Sequence, residues 1–472
     1  MSDDVLLLDV AGLAERYRSG ALSPVEVAGL HLDRLERLEP VLNAFQVIER
    51  DAALLQARLS EARWRAGAPL GPLDGVPATI KDNVDVMGLP TRHGSTTTPD
   101  TPAAGDAPVV ARLREAGAVF LGKTTLPEFG WKGITDSTLR GAATRNPWNT
   151  ERSPGGSSGG ATAALAAGIG TIAFGNDGGG SIRLPAAFSG VFGIKPHFGR
   201  VPHHVAEGLF GTVTVGGPIT RSVADAAVAL AVMARPDARD WHALPPPPAG
   251  WLDHLQPHLA GLRIAYAPKL GGVAPDAKMA AAIEAAVAAL RRAGATITEV
   301  GPVFAALKPR FDAYWKASFA HKLRQIPEAR RDELDPGYRR IAEEGMAIGL
   351  EAVLAGQVER ARLHREIAAL FGGFDLLLSA TTPHAASAAD SEYHTQGYDR
   401  WEDGVPYTLP FNLSGHPAAS LPCGLTEDGL PAGLQVVGPA HGERGILEAC
   451  AAMETVFGFR ARYPALLAGL GK

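Results

Sequence analysis

Three segments of this 472-residue chain share one order: a helix-forming stretch, then a glycine, then a short run of β-forming apolar residues. They cover residues 107–121, 161–174 and 276–300, and the first two helices stop at Gly117 and Gly168. Glycine ends helices because it adopts left-handed backbone angles at no steric cost. Helices that alternate with short apolar strands predict a layered α/β architecture.

The composition limits the classes of partner. Hydrophobic residues make up 46% of the chain and charged residues 20%, which suits a globular protein with a sizeable core. The net charge is -5, and acidic and basic residues are interspersed. This pattern is unlike a nucleic-acid footprint or a polybasic membrane anchor. The acidic start MSDDVLLLDV does not match a secretory signal, so we expect a cytoplasmic protein.

Residues 153–174 carry no charge and are long enough to raise the possibility of a membrane span. Their glycine, serine and alanine content favours a buried helix and strand instead. The two cysteines, Cys423 and Cys450, have no metal-ligand spacing around them. We expect both to be free thiols, and a single disulfide between them is the alternative.

Other segments predict the outer parts of the molecule. Ser23 begins a helix as its N-cap, with Pro24 at the first helical position and Glu26 completing a capping box. The proline-rich residues 235–250 indicate a surface connection. Residues 305–373 are charged and helical in pattern, which predicts a peripheral helical elaboration.

The segment FGNDGGGSIRLPAAF places three glycines directly before Ser181. Successive glycines allow backbone N–H groups to converge on one point. Such a turn can hold a nucleophilic serine and an oxyanion hole. A plain glycine-rich loop and a phosphate cradle are the alternatives, although no P-loop lysine follows the glycines.

A serine nucleophile needs a base, and histidine is the familiar one. GGSSGG contains a G-x-S-x-G match in which Ser158 would be the elbow nucleophile of an α/β-hydrolase. Asp375 and either His384 or His416 are formally available as its partners. The elbow requires a preceding strand, but RNPWNTERSPGG reads as a loop, so the context does not fit.

Lysine is the second possible base. PATIKDNVDV places Lys81 in a β-branched, half-apolar run. On an edge strand this lysine is a solvated charge, whereas in the interior desolvation lowers its pKa and makes the neutral amine a base. A metal hydroxide is the third source, but the 14 histidines form no HExxH or comparable cluster. We therefore expect no metal.

Several of these segments together closely resemble the amidase signature family. They are GVPATIKDNVDVMGLPTRHGS, LGKTTLPEFGW, TRNPWNTERSPGGSSGGATAALAAG, GNDGGGSIRLPAAFSGVFGIKP, PFNLSGHPAASLPCG and GLPAGLQVVG. The resemblance spans nearly the whole chain, and the two serine–glycine segments after a strand lysine are its most specific feature. It implies the amidase-signature α/β fold, a central mixed β-sheet covered on both faces by helices (an α/β/α sandwich).

The resemblance also implies one domain over residues 1–472. We expect an N-terminal helical part, a signature core with the catalytic residues, a helical and loop elaboration that shapes the substrate pocket, and a C-terminal return to the core. Their approximate bounds are 1–65, 66–235, 305–400 and 405–472.

By position, the resemblance implies a Ser–cis-Ser–Lys triad. Ser181 matches the nucleophile, Lys81 the base, and Ser157 the bridging serine, whose peptide bond to Gly156 is cis. The oxyanion hole matches the backbone N–H groups of Gly178, Gly179, Gly180 and Ser181.

The sequence offers further candidate residues beside this triad. Ser158 and Asp177 are supporting residues, with Asp177 orienting the turn. Arg183 is either an ion-pair partner or a binder of a substrate carboxylate, and Trp131 either lines the acyl pocket or belongs to the core. Candidate aromatic pocket walls are Tyr393, Tyr398 and Trp401.

One position departs from the pattern, because many relatives have threonine or isoleucine where this chain has Gly178. This departure concerns the side-chain support of the triad and leaves the triad residues themselves intact.

We therefore expect an amidase that needs no cofactor and hydrolyses a small, apolar or aryl carboxylic amide through a Ser181 acyl-enzyme, with ester and carbamate cleavage possible. The first alternative is the glutaminase (A) subunit of a tRNA-dependent amidotransferase, although residues 311–326 lack the Asn-Leu-Ala-Arg-like run expected there. The second is an inactive scaffold, which the intact triad disfavours. Expected partners are a small-molecule amide and a second copy in a homodimer, without nucleic acid or membrane.

Overall fold

The computed structural model describes residues 4–202, 209–304, 308–392 and 405–470. Within these ranges the strands form one 11-stranded sheet. The strands are β1 (Phe45–Ile48), β2 (Pro77–Lys81), β3 (Val119–Thr124), β4 (Ile172–Asp177), β5 (Phe192–Lys195), β6 (Val215–Thr220), β7 (Arg263–Tyr266), β8 (Thr296–Glu299), β9 (Leu376–Ala380), β10 (Ala418–Leu425) and β11 (Pro431–Val437).

The sheet is mixed, as predicted. Its strand order is β1-β3-β2-β4-β6-β5-β10-β11-β9-β7-β8. Strand β2 runs parallel to both of its neighbours, β3 and β4, and β7 runs parallel to β8 and β9. The other neighbouring pairs are antiparallel. Strand β2, which carries the predicted base, is therefore an interior strand.

Helices surround this sheet. In the described ranges they are α1 (Val10–Ser19), α2 (Pro24–Leu42), α3 (Arg50–Arg65), α4 (Pro108–Glu115), α5 (Gly159–Ala166), α6 (Arg183–Ser189), α7 (Val223–Met233), α8 (Ala277–Arg292), α9 (Lys308–Gln325), α10 (Pro336–Gly345), α11 (Leu350–Leu370), α12 (Leu409–Leu413), α13 (Glu443–Phe457) and α14 (Tyr463–Gly469).

Both faces of the sheet are covered. Successive residues of a strand point to opposite faces, and β4 shows the two environments. Ala173 lies in a buried cluster with Leu165 of α5 and Ala186 of α6. Its neighbour Phe174 belongs to the main core, which also contains Leu230 of α7. This arrangement confirms the predicted α/β/α architecture.

The three recurring segments form the predicted elements. They become α4 with β3, α5 with β4, and α8 with β8. Gly117 and Gly168 have the positive φ angles of 82° and 78° that end the first two helices. The predicted capping box is also present, because the Ser23 hydroxyl accepts from the Glu26 N–H while the Glu26 carboxylate accepts from the Ser23 N–H.

The uncharged stretch 153–174 forms the buried helix α5 and the start of β4, as predicted. Among the described helices, none has the combined length and hydropathy that crossing a bilayer requires. Cys423 and Cys450 are both free thiols.

The close approach of α5 to its neighbours predicts a stability difference between two helical glycines. A β-carbon at Gly160 would lie 2.4 Å from Thr125 Oγ1 and 2.5 Å from the Ala44 carbonyl oxygen. One at Gly29 of α2 would meet no atom within 4 Å. We expect Gly160→Ala to lower the free energy of unfolding by about 1–3 kcal/mol through overpacking. Gly29→Ala should raise it by up to about 1 kcal/mol through helix propensity.

Urea denaturation of the two variants beside the native chain measures both effects. Similar shifts for the two variants would contradict the assignment of Gly160 to a close contact.

Candidate active site

Lys81, the last residue of β2, is completely buried in the interior of the sheet. The alternative of a solvated edge-strand charge is therefore wrong. Its Nζ donates to Ser157 Oγ at 2.7 Å and to Asn176 Oδ1 at 2.8 Å. Burial lowers the pKa of this amine to about 7, against the opposing effect of the Asp177 carboxylate. A substantial fraction of Lys81 is therefore neutral near neutral pH.

Ser157 lies just before α5, and its peptide bond to Gly156 is cis, as the family resemblance implies. Its side chain is 3% exposed. Gly130 covers it from a neighbouring loop with a φ of +70°, and a β-carbon there would lie 3.1 Å from Ser157 Oγ. Both this backbone angle and this space favour glycine at position 130.

Ser181 is half-buried in the turn after β4 and lines a small pocket. The Ser158 N–H donates to the Ser181 carbonyl oxygen at 3.3 Å, so the two serine segments adjoin. The Ser181 hydroxyl makes no hydrogen bond to another described residue, which leaves it available to a ligand in the pocket. The other lining residues are Gly130, Lys132, Gly133, Gly156, Gly179, Gly180, Leu184 and Val405.

Asp177 organises the glycine turn from the end of β4. Its Oδ1 accepts from the Gly180 N–H at 2.7 Å, and its Oδ2 accepts from the Ile182 N–H at 3.2 Å. The Arg183 guanidinium donates to both oxygens at 2.9 Å. Burial raises the pKa of Asp177, but the Arg183 charge and its hydrogen bonds outweigh this and hold the pKa at about 2. Asp177 is therefore ionised and bound to the turn.

Arg183 is fully buried and bound on all sides by protein. Besides Asp177, it donates to the Thr408 carbonyl oxygen at 2.8 Å, to Gln435 Oε1 at 2.9 Å and to Asn412 Oδ1 at 2.6 Å. It does not line the pocket described above. This geometry favours the ion-pair role of Arg183 over binding of a substrate carboxylate.

The predicted oxyanion hole needs one correction. The Gly180 N–H is occupied by the Asp177 carboxylate, so it cannot also donate to a substrate oxygen. Thr408 fixes the same peptide from the other side, because its hydroxyl donates to the Gly179 carbonyl oxygen at 2.6 Å. Gly178, Gly179 and Ser181 remain as candidate donors to an oxyanion.

The structure gives a steric reason for glycine at position 178, where many members of the family have a larger residue. A β-carbon on Gly178 would lie 2.5 Å from Phe210 Cζ. The Phe210 ring therefore occupies the space that a larger residue at position 178 would need.

The structure does not assemble the alternative elbow triad. Ser158 is fully buried. Asp375 lies in a half-exposed ion pair with Arg263 at 2.9 Å. His384 Nδ1 pairs with a neighbouring backbone carbonyl oxygen and His416 Nδ1 with a serine hydroxyl. These groups are engaged elsewhere, and the supporting role of Ser158 remains a prediction.

Trp131 is 1% exposed and is not among the residues that line the pocket. Its ring lies against Gly337 of α10, where a β-carbon would be 2.5 Å from the indole. Its neighbours Gly130 and Lys132 do line the pocket, so Trp131 supports the wall from behind. Candidates Tyr393, Tyr398 and Trp401 lie outside the described residues.

Sequence reasoning missed several residues of the site: Asn176, Thr408, Asn412, Gln435 and Gly130. Asn176 adjoins Asp177 in GNDGGGS and Asn412 lies in PFNLSGHP, so both had a local signal as polar residues within distinctive segments. Gly130 in LGKTTLPEFGW and Gln435 in GLPAGLQVVG likewise lie in distinctive segments, whereas Thr408 lies just before one. Across the described ranges, no three His, Cys, Asp or Glu side chains are arranged to hold a metal ion.

Comparisons with known proteins show which family the chain belongs to. The family model described as Amidase matches residues 26–447. An acylamidase of Rhodococcus erythropolis is 36% identical over 471 residues, 97% of this chain and 97% of that protein. The A subunit of glutamyl-tRNA(Gln) amidotransferase from Symbiobacterium thermophilum is 34% identical over 496 residues, 98% of this chain and 99% of that protein.

The crystal structure of a bacterial aryl acylamidase of the amidase signature enzymes is similar with a TM-score of 0.88 at 30% identity, over 98% of each chain. The family match contains every residue of the site described above.

The buried Asp177–Arg183 ion pair should contribute far more to stability than the exposed Arg263–Asp375 pair. Arg183→Met leaves the Asp177 carboxylate buried without its partner, which should cost about 3–5 kcal/mol of unfolding free energy. Arg263→Met breaks a similar Arg–Asp pair whose side chains are 55% and 38% exposed. Exposed pairs contribute at most about 1 kcal/mol.

Chemical denaturation of both variants tests this difference. An Arg183→Met protein as stable as Arg263→Met would contradict the structural role of the buried pair.

Proposed function

The chain belongs to the amidase family and hydrolyses carboxylic amide C–N bonds, and we propose that it does so through a covalent acyl-enzyme on Ser181. One observation carries this proposal: the buried Lys81 amine donates to the Ser157 hydroxyl at 2.7 Å. The next residue, Ser158, donates its N–H to the Ser181 carbonyl oxygen, so Ser181 adjoins this pair. A buried, partly neutral amine is a usable base, and a serine hydroxyl requires one to attack an amide.

The first half of the proposed reaction forms the acyl-enzyme. The Ser181 side chain turns toward Ser157, which takes its proton while passing its own proton to neutral Lys81. The Ser181 oxygen bonds to the amide carbonyl carbon, and the carbonyl oxygen becomes an oxyanion. Backbone donors of the glycine turn stabilise that charge, at roughly 3 kcal/mol for one well-placed donor. The C–N bond then breaks, and the amine leaves with a proton returned from Lys81 through Ser157.

The second half releases the acid. Water attacks the acyl carbon and gives its proton to the same relay, a second oxyanion forms in the turn, and the ester bond to Ser181 breaks. The proton returns to Ser181, so the enzyme is regenerated. Each transfer uses groups of this chain and the two substrates, amide and water.

The pocket supports a small uncharged substrate. Its lining is mostly glycine backbone together with Leu184 and Val405. Among the lining residues that the structure describes, the one charged residue is Lys132, which is paired with Asp136 at 2.8 Å and Asp335 at 3.2 Å. This described part of the wall therefore offers no free cation to a substrate carboxylate. We propose an apolar or aryl amide, in line with the acylamidase and aryl acylamidase names of similar proteins.

Glutamine amide hydrolysis is the second candidate, because the glutamyl-tRNA(Gln) amidotransferase relative is similar over the full chain. A cytoplasmic location, a homodimer and the absence of a nucleic-acid partner remain predictions of the sequence. Esters and carbamates pass through a similar tetrahedral intermediate, so they belong in the same substrate screen.

Substitution of the proposed nucleophile is the direct test. We expect the native protein to hydrolyse a short-chain anilide faster than glutamine and to react with a fluorophosphonate probe. Ser181→Ala should lose turnover by at least about 10³-fold, because the remaining contacts cannot supply covalent catalysis. It should also lose labelling.

Ser158→Ala is the matched control, since it removes a neighbouring serine hydroxyl but should keep labelling. Labelling that followed Ser158 instead of Ser181 would overturn the assignment, and faster turnover of glutamine would favour the second candidate.

The buried base predicts the pH dependence. Proton acceptance requires neutral Lys81, whose pKa is lowered to about 7. The rate constant kcat/KM should therefore rise with pH through about 7, level off above it, and fall as the amine becomes protonated below it. Lys81→Ala should abolish turnover at every pH where the protein is folded.

A second buried lysine provides the control for this profile. Burial and then the Arg183 charge lower the pKa of Lys195 to about 7 as well. Lys195→Met should keep the midpoint of the pH profile, because Lys195 Nζ contacts a backbone carbonyl oxygen and not the serines. Loss of the midpoint in Lys195→Met, with Lys81→Ala still active, would refute the assigned base.

A further inference from the structure

Gly178 begins the glycine turn, directly after the ionised Asp177. Unlike Gly180, whose φ is +137°, Gly178 does not have a left-handed backbone angle. Its backbone would therefore accept an ordinary side chain. What excludes one is the surrounding atoms: a β-carbon would meet Phe210 Cζ at 2.5 Å and Thr214 Oγ1 at 3.1 Å.

The Phe210 ring is held in place from its far side by α9. It packs edge-to-face on Trp315 with ring centroids 4.7 Å apart, and it contacts Phe319 at 6.1 Å. Trp315 and Phe319 are themselves buried. The ring thus lies between a packed aromatic cluster and the Cα atom of Gly178, with limited room to move away.

The segment that carries Phe210 is also fixed by polar contacts. Arg360 of α11 donates to the Thr212 carbonyl oxygen at 2.6 Å and to its hydroxyl at 2.9 Å. Asn412 donates to the Asp177 carbonyl oxygen at 2.7 Å and to the Val213 carbonyl oxygen at 3.3 Å. Asn412 therefore joins the Phe210 segment directly to the start of the turn.

We propose that Phe210 is a positioning residue for the oxyanion turn, and that residues 178 and 210 form a coupled steric pair. This inference rests on the proposed function, because it assigns a purpose to the turn that follows Asp177. Glycine leaves the backbone at position 178 free to move. Oxyanion donors act only when they are preorganised within a few tenths of an ångström of the developing charge. The Phe210 ring supplies the restraint that a side chain at 178 would otherwise provide.

A double-mutant cycle tests the coupling. Gly178→Ala alone forces the new methyl group against the ring, so we expect kcat on an anilide to fall at least tenfold with KM within about twofold of native. Phe210→Leu alone removes the ring atoms nearest to Gly178 and should lower kcat by a smaller factor, again with little change in KM. The double variant should be more active than Gly178→Ala alone, because leucine gives the methyl group room.

The control replaces a ring that contacts Phe210 but is not among the atoms nearest Gly178. Phe319→Leu removes a similar amount of aromatic packing. In the Phe319→Leu, Gly178→Ala double variant, the factor by which kcat falls should equal the product of the two single-variant factors. Thermal unfolding of every variant separates loss of fold from loss of rate. Should Gly178→Ala fail to fold, the split between kcat and KM in Phe210→Leu still decides the question.

Two results would overturn the proposal: a double variant whose loss is the product of the single losses, or Phe210→Leu with native kcat. Failure of the proposed function has a different signature, because Ser181→Ala would then retain turnover whatever the cycle shows.

Discussion

The ion pair between Asp177 and Arg183 is the interaction on which the site depends. Both side chains are fully buried, and Asp177 binds the amides of the turn while Arg183 binds three groups from distant segments. The same carboxylate acts on the base, because burial lowers the pKa of Lys81 and the Asp177 charge opposes this by raising it to a smaller extent. The ion pair thus shapes the turn, and its Asp177 member also affects the proton affinity of Lys81.

The sheet brings these groups together through one pair of parallel strands. Strands β2 and β4 are neighbours that run in the same direction, with Ile80 opposite Phe174. Neighbouring parallel strands end at the same edge of a sheet, so Lys81 and Asp177 emerge side by side. Asn176 then accepts from Lys81 within this arrangement. Burial on both faces removes water from the amine, which an edge strand would not do.

The peripheral helices contact the site at separate points. On one side, α10 lies against Trp131, and its N-cap residue Asp335 forms an ion pair with Lys132. On another, α9 packs on Phe210. These contacts connect the 305–400 elaboration, where the structure describes it, to the pocket wall and to the turn.

Much of the fold and the candidate site followed from the residues themselves. Gly117 and Gly168 marked helix ends because only the local backbone angle matters there, and Ser23 with Glu26 marked a helix start for the same reason. Lys81, Ser157 and Ser181 stood out because their segments resemble a known family. The role of each of these three residues could be predicted only when their segments were considered together.

Tertiary structure decided what depends on contacts between distant segments. The family resemblance implied four oxyanion donors, but in the folded chain the Gly180 N–H donates to Asp177. Arg183 donates to residues more than 200 positions away along the chain. The glycine at position 178 became explicable only beside the Phe210 ring. The residues next to Lys81 in the sequence likewise did not determine whether it is a solvated charge or a neutral base. Desolvation is a property of everything packed around an amine, so only the assembled sheet could set it.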